Sequence, residues 1–288
     1  MRPLKLAIPN KGRLSDDAIR ILRRAGIHLR GSSDRKLFAS ALDGRMQVLF
    51  LRAKDIPAFV ADGTVDCGIT GLDVVRESGA NLHDRLDLGF GRCRLVVAVP
   101  EAHPAQSAED LPDGTRIATS FPELTRQHFA ALNKDVKVTE VTGACEVTPT
   151  LGVADAITDL TSTGSTLTMN HMREIGDILI STCRLVAKPD ADPEIAKEIE
   201  RLHFALESVV AADKKRYLLA DVPRAALDEI RTFLPGVAGP TVVEIAGDPD
   251  TVAIQVVIDE GEVFDAVHRL QGLGGRGILI VPIDRLVP

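Results

Sequence analysis

Short apolar runs alternate with amphipathic stretches through the first two thirds of the chain, the pattern of a largely parallel sheet covered by helices. "LKLAIP" leads through the turn "NKGR" into "LSDDAIRILRRAG", where Ser15 suits a helix cap, Asp16 and Asp17 its first turn, and Gly26 its end. "QVLFLR" runs into "AKDIPAFVADG", and "DCGITG" into "LDVVRESG", so strand, polar loop and helix recur three times. Two glycines in "GFGRCRLVVAVP" precede a new apolar strand and mark a crossing into a second lobe, from which "ILISTCRLVAKPDADPE" brings the chain back. The next stretch, "EIAKEIERLHFALESVVAADKK", sets Ile195, Ile199, Leu202, Leu206 and Val209 on one helical face. Beyond it the order becomes strand, helix, strand, strand, helix, strand, which is ferredoxin-like. The pattern predicts lobe I at 1–93 with 180–212, lobe II at 94–179, and a smaller domain at 213–288.

Composition narrows the classes of function. The chain has 288 residues, 45% hydrophobic and 26% charged, as expected of a folded globular protein. With a net charge of -7, no Trp and 3% aromatic residues it is a poor general binder of nucleic acid. No stretch has the length of a membrane span, and the N-terminus lacks a signal-peptide core, so a cytoplasmic protein is expected. Cys67, Cys93, Cys145 and Cys183 lie far apart, which predicts buried free thiols rather than a zinc site.

The chemistry concentrates in "ADAITDLTSTGSTL", Ala154 to Leu167. Asp155 and Asp159 would share a face if the segment were a turn of helix. Gly164 permits close backbone approach, and Ser162, Thr163, Ser165 and Thr166 supply hydroxyls that can ring a phosphate. A carboxylate beside a phosphate loop is repelled unless it serves another part of the same ligand. A sugar phosphate satisfies both, with ribose hydroxyls on the aspartates and the 5-phosphate on the loop. A plain surface turn with two capping aspartates fits the loop alone equally well.

Three blocks, "EVTPTLGVADAITDLTSTGSTL", "PNKGRLSDD" and "FLRAKDIPAFVADGTVDCGITGLDVV", resemble the ATP phosphoribosyltransferase family in its long form, and the likeness extends over the C-terminal third. The resemblance implies two lobes like those of periplasmic binding proteins plus a ferredoxin-like α+β domain. It implies attack of N1 of ATP on C1 of phosphoribosyl pyrophosphate, releasing pyrophosphate, with Mg2+ as cofactor and no metal ligand assigned among the side chains. It further implies feedback inhibition by histidine and a homo-oligomer, from dimer to hexamer.

Carried onto this chain, the family pattern assigns Asp155, Asp159, Ser162, Thr163, Gly164, Ser165 and Thr166 to phosphoribosyl pyrophosphate. ATP is assigned to Lys11, Gly12, Arg13, Leu51, Arg52, Gly71 and Asp73, with Lys54 a further cation nearby. Lys11, Arg52 and Glu146 are the expected catalytic residues, and Asp221, Thr241 and Gly277 the histidine contacts. Several choices stay open: Asp73 reads equally as a ligand or a cap, and Glu146 as a metal or ribose contact or an ion-pair partner. Two rivals keep the fold but lose the reaction, a non-catalytic two-lobed binding protein and a silent regulatory subunit.

Overall fold

Strand Leu4–Pro9 (β1) is almost wholly buried, which is why it reads as an unbroken apolar run rather than an alternating one. The computed structural model describes residues 2–30, 37–236 and 239–287. They divide into two compact units, one of residues 1–23 and 27–203 and one of residues 24–26 and 204–288.

In the first unit β1 is flanked in parallel by Met46–Leu51 (β3) and Cys67–Gly71 (β4). Phe38–Ser40 (β2) and His83–Asp87 (β5) complete the early strands, and the sheet gains Cys183–Ala187 (β11) late in the chain, in the order β2-β3-β1-β4-β11-β5. Helices Arg13–Arg24 (α1), Ile56–Ala61 (α2) and Leu72–Ser78 (α3) follow its parallel strands. Helix α1 begins two residues before the expected cap: Ser15 is a buried residue of its first turn, and its N–H is given to the carbonyl of Gly12.

The second sheet holds Cys93–Pro100 (β6), Thr115–Thr119 (β7), Val136–Glu140 (β8), Ala156–Thr161 (β9) and Met172–Ser181 (β10), in the order β10-β6-β9-β7-β8. Alternate residues of β6 enter opposite layers: Val97 and Val99 pack with Leu111, Ile117 and Phe129, while Val96 and Ala98 pack with Ile157, Leu167 and Met172. Helix Pro122–Ala131 (α4) supplies Phe129, which is fully buried. Both sheets are mixed rather than mostly parallel, because the strands on either side of each crossing, β5, β6, β10 and β11, add antiparallel to parallel centres.

The two crossings lie side by side. Cys183 donates its N–H to Phe90 and accepts from Leu88, each at 2.9 Å, and Leu72 donates to Thr182 at 3.0 Å. Gly89 and Gly91 take positive φ here, and a Cβ on Gly91 would run into Leu14. A further link joins the lobes. The first turn of α4 has no side-chain cap of its own, and the Glu77 carboxylate of α3 accepts from the N–H groups of Glu123 and Leu124, both at 2.9 Å.

The unit boundary falls within helix Pro193–Ala212 (α6), whose Ile195, Ile199, Leu202, Leu206 and Val209 are buried as the periodicity predicts. The second unit carries Lys215–Pro223 (β12), Leu227–Phe233 (α7), Thr241–Ile245 (β13), Asp248–Asp259 (β14), Val263–Gly272 (α8) and Arg276–Pro282 (β15). Its antiparallel order, β13-β14-β12-β15, is the ferredoxin-like arrangement.

Replacing Glu77 by Ala removes a helix cap and is expected to lower stability by about 0.5–2 kcal/mol in urea denaturation. An unchanged midpoint would show that water serves the two amides equally well.

Candidate active site

Parallel strands deliver their loops to one edge, where open α/β sheets hold ligands. In the first sheet Pro9 lies opposite Leu51, and Asn10 donates its N–H to the Leu51 carbonyl at 2.7 Å. That register sets Lys11, Gly12 and Arg13 beside Arg52 and Lys54, with Gly71 and Asp73 following β4 on the same edge. All four cations are exposed, and among the described residues none of them is within ion-pair distance of a carboxylate. Arg94, Arg116 and Arg184 of the same unit are all paired with carboxylates. The edge therefore presents free positive charge on an acidic protein.

Asp73 does not project into that edge. It is buried and accepts from the Ser181 hydroxyl at 2.5 Å, while its own N–H donates to the same oxygen at 3.1 Å. A Cβ at Gly71 would collide with the Asp73 carboxylate, so this glycine is required by the inward turn of the aspartate.

In the second sheet the expected turn of helix at Asp155 to Asp159 is strand β9. Asp155 precedes β9 and the Ser162–Thr166 loop follows it, so the strand holds them roughly 20 Å apart at ~3.3 Å per residue. Asp155 is instead held by Arg116, through Nη2 at 2.6 Å, Nε at 3.1 Å and the backbone N–H at 2.9 Å. The guanidinium beside it keeps its carboxyl below the usual range. The structure thus separates the two aspartates that the sequence pattern joins.

Asp159 stays with the loop. It is half-buried and accepts the N–H of Leu160 at 2.8 Å. Burial pushes its pKa up, and the charge of Glu146 adds to the rise. Glu146 sits on the turn Cys145–Val147 after β8, where Ala144 takes φ 51 to start the turn. Beneath both carboxylates lies the Cys145 thiol, pushed up to about 11 chiefly by burial and further by Asp159 and Glu146. It is a packing group at neutral pH, since the thiolate is the nucleophilic form.

Gly164 has φ 76 and heads the short helix Ser165–Met169 (α5), and its N–H is fixed by the Thr161 hydroxyl at 2.8 Å. Ser162, Thr163, Ser165 and Thr166 are exposed around it, with Thr163 and Ser165 hydroxyls 3.0 Å apart. Sequence reasoning missed Arg94, which pairs in register with Thr161 at the base of this loop. Its one signal is a charged residue at the start of the apolar run "CRLVVAVP". Among the described residues no group of three metal-ligating side chains occurs, and no helix is long and apolar enough to cross a membrane.

In the second unit Asp221 and Gly277 come together. β15 bulges against β12 between Leu219 and Asp221, Gly277 takes φ 57, and a Cβ there would lie 3.4 Å from the Asp221 carboxylate. Thr241 opens β13, three strand spacings from β15, or roughly 14 Å at ~4.8 Å each. One chain therefore does not gather all three.

The profile of the ATP phosphoribosyltransferase family matches residues 52–208, and that of the family's C-terminal domain matches residues 212–285. An ATP phosphoribosyltransferase of Natronomonas pharaonis is 47% identical over 287 residues, covering 99% of this chain and 100% of the relative. That of Haloarcula marismortui is 48% identical over 286 residues, with 99% and 100% covered. Among solved structures, an ATP phosphoribosyl transferase complex of Thermotoga maritima superposes with a TM-score of 0.63 at 27% identity, covering 73% of this chain and all of that one. With the catalytic and C-terminal profiles both matched and relatives aligned end to end, the chain belongs to the ATP phosphoribosyltransferase family.

Proposed function

We propose that the two strand edges of the first unit divide the substrates of the family's reaction between them. That reaction joins N1 of ATP to C1 of phosphoribosyl pyrophosphate and releases pyrophosphate, the first step of histidine biosynthesis. One observation carries the reading. A half-buried carboxylate and a hydroxyl loop share the edge of the second sheet, while four cations with no carboxylate partner among the described residues share the edge of the first.

Asp159 accepts hydrogen bonds from the ribose hydroxyls, and Ser162, Thr163, Gly164, Ser165 and Thr166 receive the 5-phosphate. Lys11 and Arg52, backed by Arg13 and Lys54, meet the phosphates of ATP and of the leaving group. Gly12, Leu51 and Gly71 offer backbone to the nucleotide. Asp73, bound to Ser181, positions the start of α3 rather than contacting base or ribose. Asp155 secures β9 through Arg116 and has no part in ribose binding.

As the N1–C1 bond forms from the ring nitrogen's lone pair, the C1–O bond breaks and its electrons leave on pyrophosphate. Positive charge grows at C1 meanwhile, and a carboxylate already poorly solvated, such as Asp159, stabilises it without reorganising. Holding two polyanions in line supplies up to ~7–11 kcal/mol of the barrier reduction. The charge of Glu146 is felt at Asp159, and carboxylates so placed would suit a Mg2+ ion ligated largely by substrate oxygens, with Glu146 as the protein donor. When bound, the ion neutralises the departing pyrophosphate.

The second unit is read as the histidine-responsive domain, Asp221 taking the amino group beside Gly277. Thr241 completes that contact set from a second copy, in keeping with a dimer-to-hexamer assembly.

The first test follows pyrophosphate and phosphoribosyl-ATP formation from ATP, phosphoribosyl pyrophosphate and Mg2+, with and without histidine. Turnover suppressed by histidine is expected; binding without turnover would assign the chain to a silent subunit or a binding protein. Asp159→Asn is expected to raise the KM for phosphoribosyl pyrophosphate at least about tenfold, the scale of one charged contact. The same change is expected to raise Tm at pH 7. Burial raises the folded pKa of Asp159 above its ordinary 3.8, so its charge destabilises the fold as pH rises through that range. The gain should fade on acidification and vanish below 3.8, where wild type is protonated in both states. A Tm that falls at pH 7 would mean the charge stabilises the empty protein. Asp221→Asn is expected to relieve inhibition by histidine with turnover intact, and inhibition persisting unaltered would move the effector site elsewhere.

A further inference from the structure

Glu174 and Asp177 of β10 are three residues apart, and in a regular strand they would face opposite ways. A register shift between Glu174 and Gly176 breaks that alternation. Both carboxylates consequently reach one guanidinium. Arg94 Nη1 meets Asp177 Oδ1 at 2.6 Å, and Nη2 meets Glu174 Oε2 at 2.8 Å and Oε1 at 3.1 Å. Arg94 is the neighbour of Thr161 across the β6–β9 ladder, and Thr161 ties down the N–H of Gly164. Glu174 closes the circle, because a Cβ on Gly164 would stand 3.2 Å from its Oε1. An acidic group is thus seated against the glycine of a loop read as a phosphate cradle.

Two uncompensated carboxylates there would repel an incoming phosphate. We infer that Arg94 is a positioning residue for the phosphoribosyl loop: it neutralises Glu174 and Asp177 beside Gly164, so that the loop is able to admit a dianion. The inference rests on the reading that Ser162 to Thr166 receive the 5-phosphate. Arg94 acts through its partners and does not itself touch substrate.

The partners make a rescue test available. Steady-state kinetics in both substrates would compare wild type, Arg94→Met, Glu174→Gln, and a triple variant combining Arg94→Met, Glu174→Gln and Asp177→Asn, each first verified by its thermal melt. Arg94→Met is expected to raise the KM for phosphoribosyl pyrophosphate about tenfold, the scale of a charge contact near an anion, and to leave the KM for ATP within about twofold. Glu174→Gln alone should bind phosphoribosyl pyrophosphate at least as well as wild type. The triple variant should recover to within about threefold of wild type. Loss in Arg94→Met without recovery in the triple variant would overturn the inference and make Arg94 a direct ligand. A loss in Glu174→Gln alone would overturn it equally, making Glu174 the ligand. Should Arg94→Met fail to fold, Arg94→Lys replaces it; the proposal then expects a smaller rise in the same KM, and no rise would refute it.

Gly164→Ala separates this inference from the reading beneath it. That change is strained at positive φ and crowds Glu174. An unchanged KM for phosphoribosyl pyrophosphate in Gly164→Ala would remove the loop from the phosphate site and the Arg94 role with it. A raised KM there with none in Arg94→Met would sink the Arg94 role alone.

Discussion

The hydrogen bonds at Cys183 are what the first unit depends on. By donating to Phe90 and accepting from Leu88, this residue locks the two crossings side by side, and each lobe's sheet grows outward from that seam. β11 then extends the first sheet and β10 the second, so the crossing strands are shared structural members rather than linkers. Sheet edges cannot be chosen independently after that. Once β4 pairs with β11 and β9 with β6, the ends of the parallel strands in each sheet are set relative to the seam. Both Gly89 and Gly91 take positive φ, and at 91 Leu14 leaves no room for a side chain.

Helix α3 extends the constraint from the seam to the site. Its first turn is tied to the crossing through Asp73 and Ser181, and Glu77 near its other end caps α4 of the second lobe. α4 follows directly on β7, a neighbour of the strand that carries Asp159. A seven-residue helix therefore spans from the cation-bearing edge to the carboxylate-bearing lobe. Any change in the angle between the lobes must either carry α4 along with α3 or give up two charge-assisted bonds to backbone amides.

Most of the elements were legible because apolar runs, glycines and helical periodicity agree from β1 through α6 and again in the ferredoxin-like unit. The failures have physical causes. "HDRLD" forms β5 although it is nearly all polar, because it is a strand at the sheet's edge with little to bury, and only the backbone ladder to β11 holds it. Ser15 reads as a cap, yet Gly12 at φ 76 turns the chain early and starts the helix at Arg13. In the candidate site, the loop and the cation pairs stand out as motifs, whereas the helical turn considered for Asp155 to Asp159 is strand β9. A spacing of four puts residues on one face in a helix and in a strand alike, but a strand carries the second one more than twice as far along, at about 3.3 Å per residue against 1.5 Å. Arg94 was invisible for the opposite reason. Its partners lie some 80 residues away and depend on a bulge that no local pattern announces.

Charge in this molecule is arranged against the grain of its total. On a chain of net charge -7, Lys11, Arg13, Arg52 and Lys54 carry no carboxylate partner among the described residues, while Arg94, Arg116 and Arg184 of the same unit are paired with carboxylates. Asp159 is the mirror image. Its carboxylate is half-buried, raised by burial and by Glu146, and accepts one backbone N–H where a carboxylate can accept several. A group kept under those conditions is poorly solvated and still has lone pairs free to accept further donors. Asp155, four residues earlier, already accepts three hydrogen bonds from Arg116. The two aspartates differ in how many of their lone pairs the protein has already used.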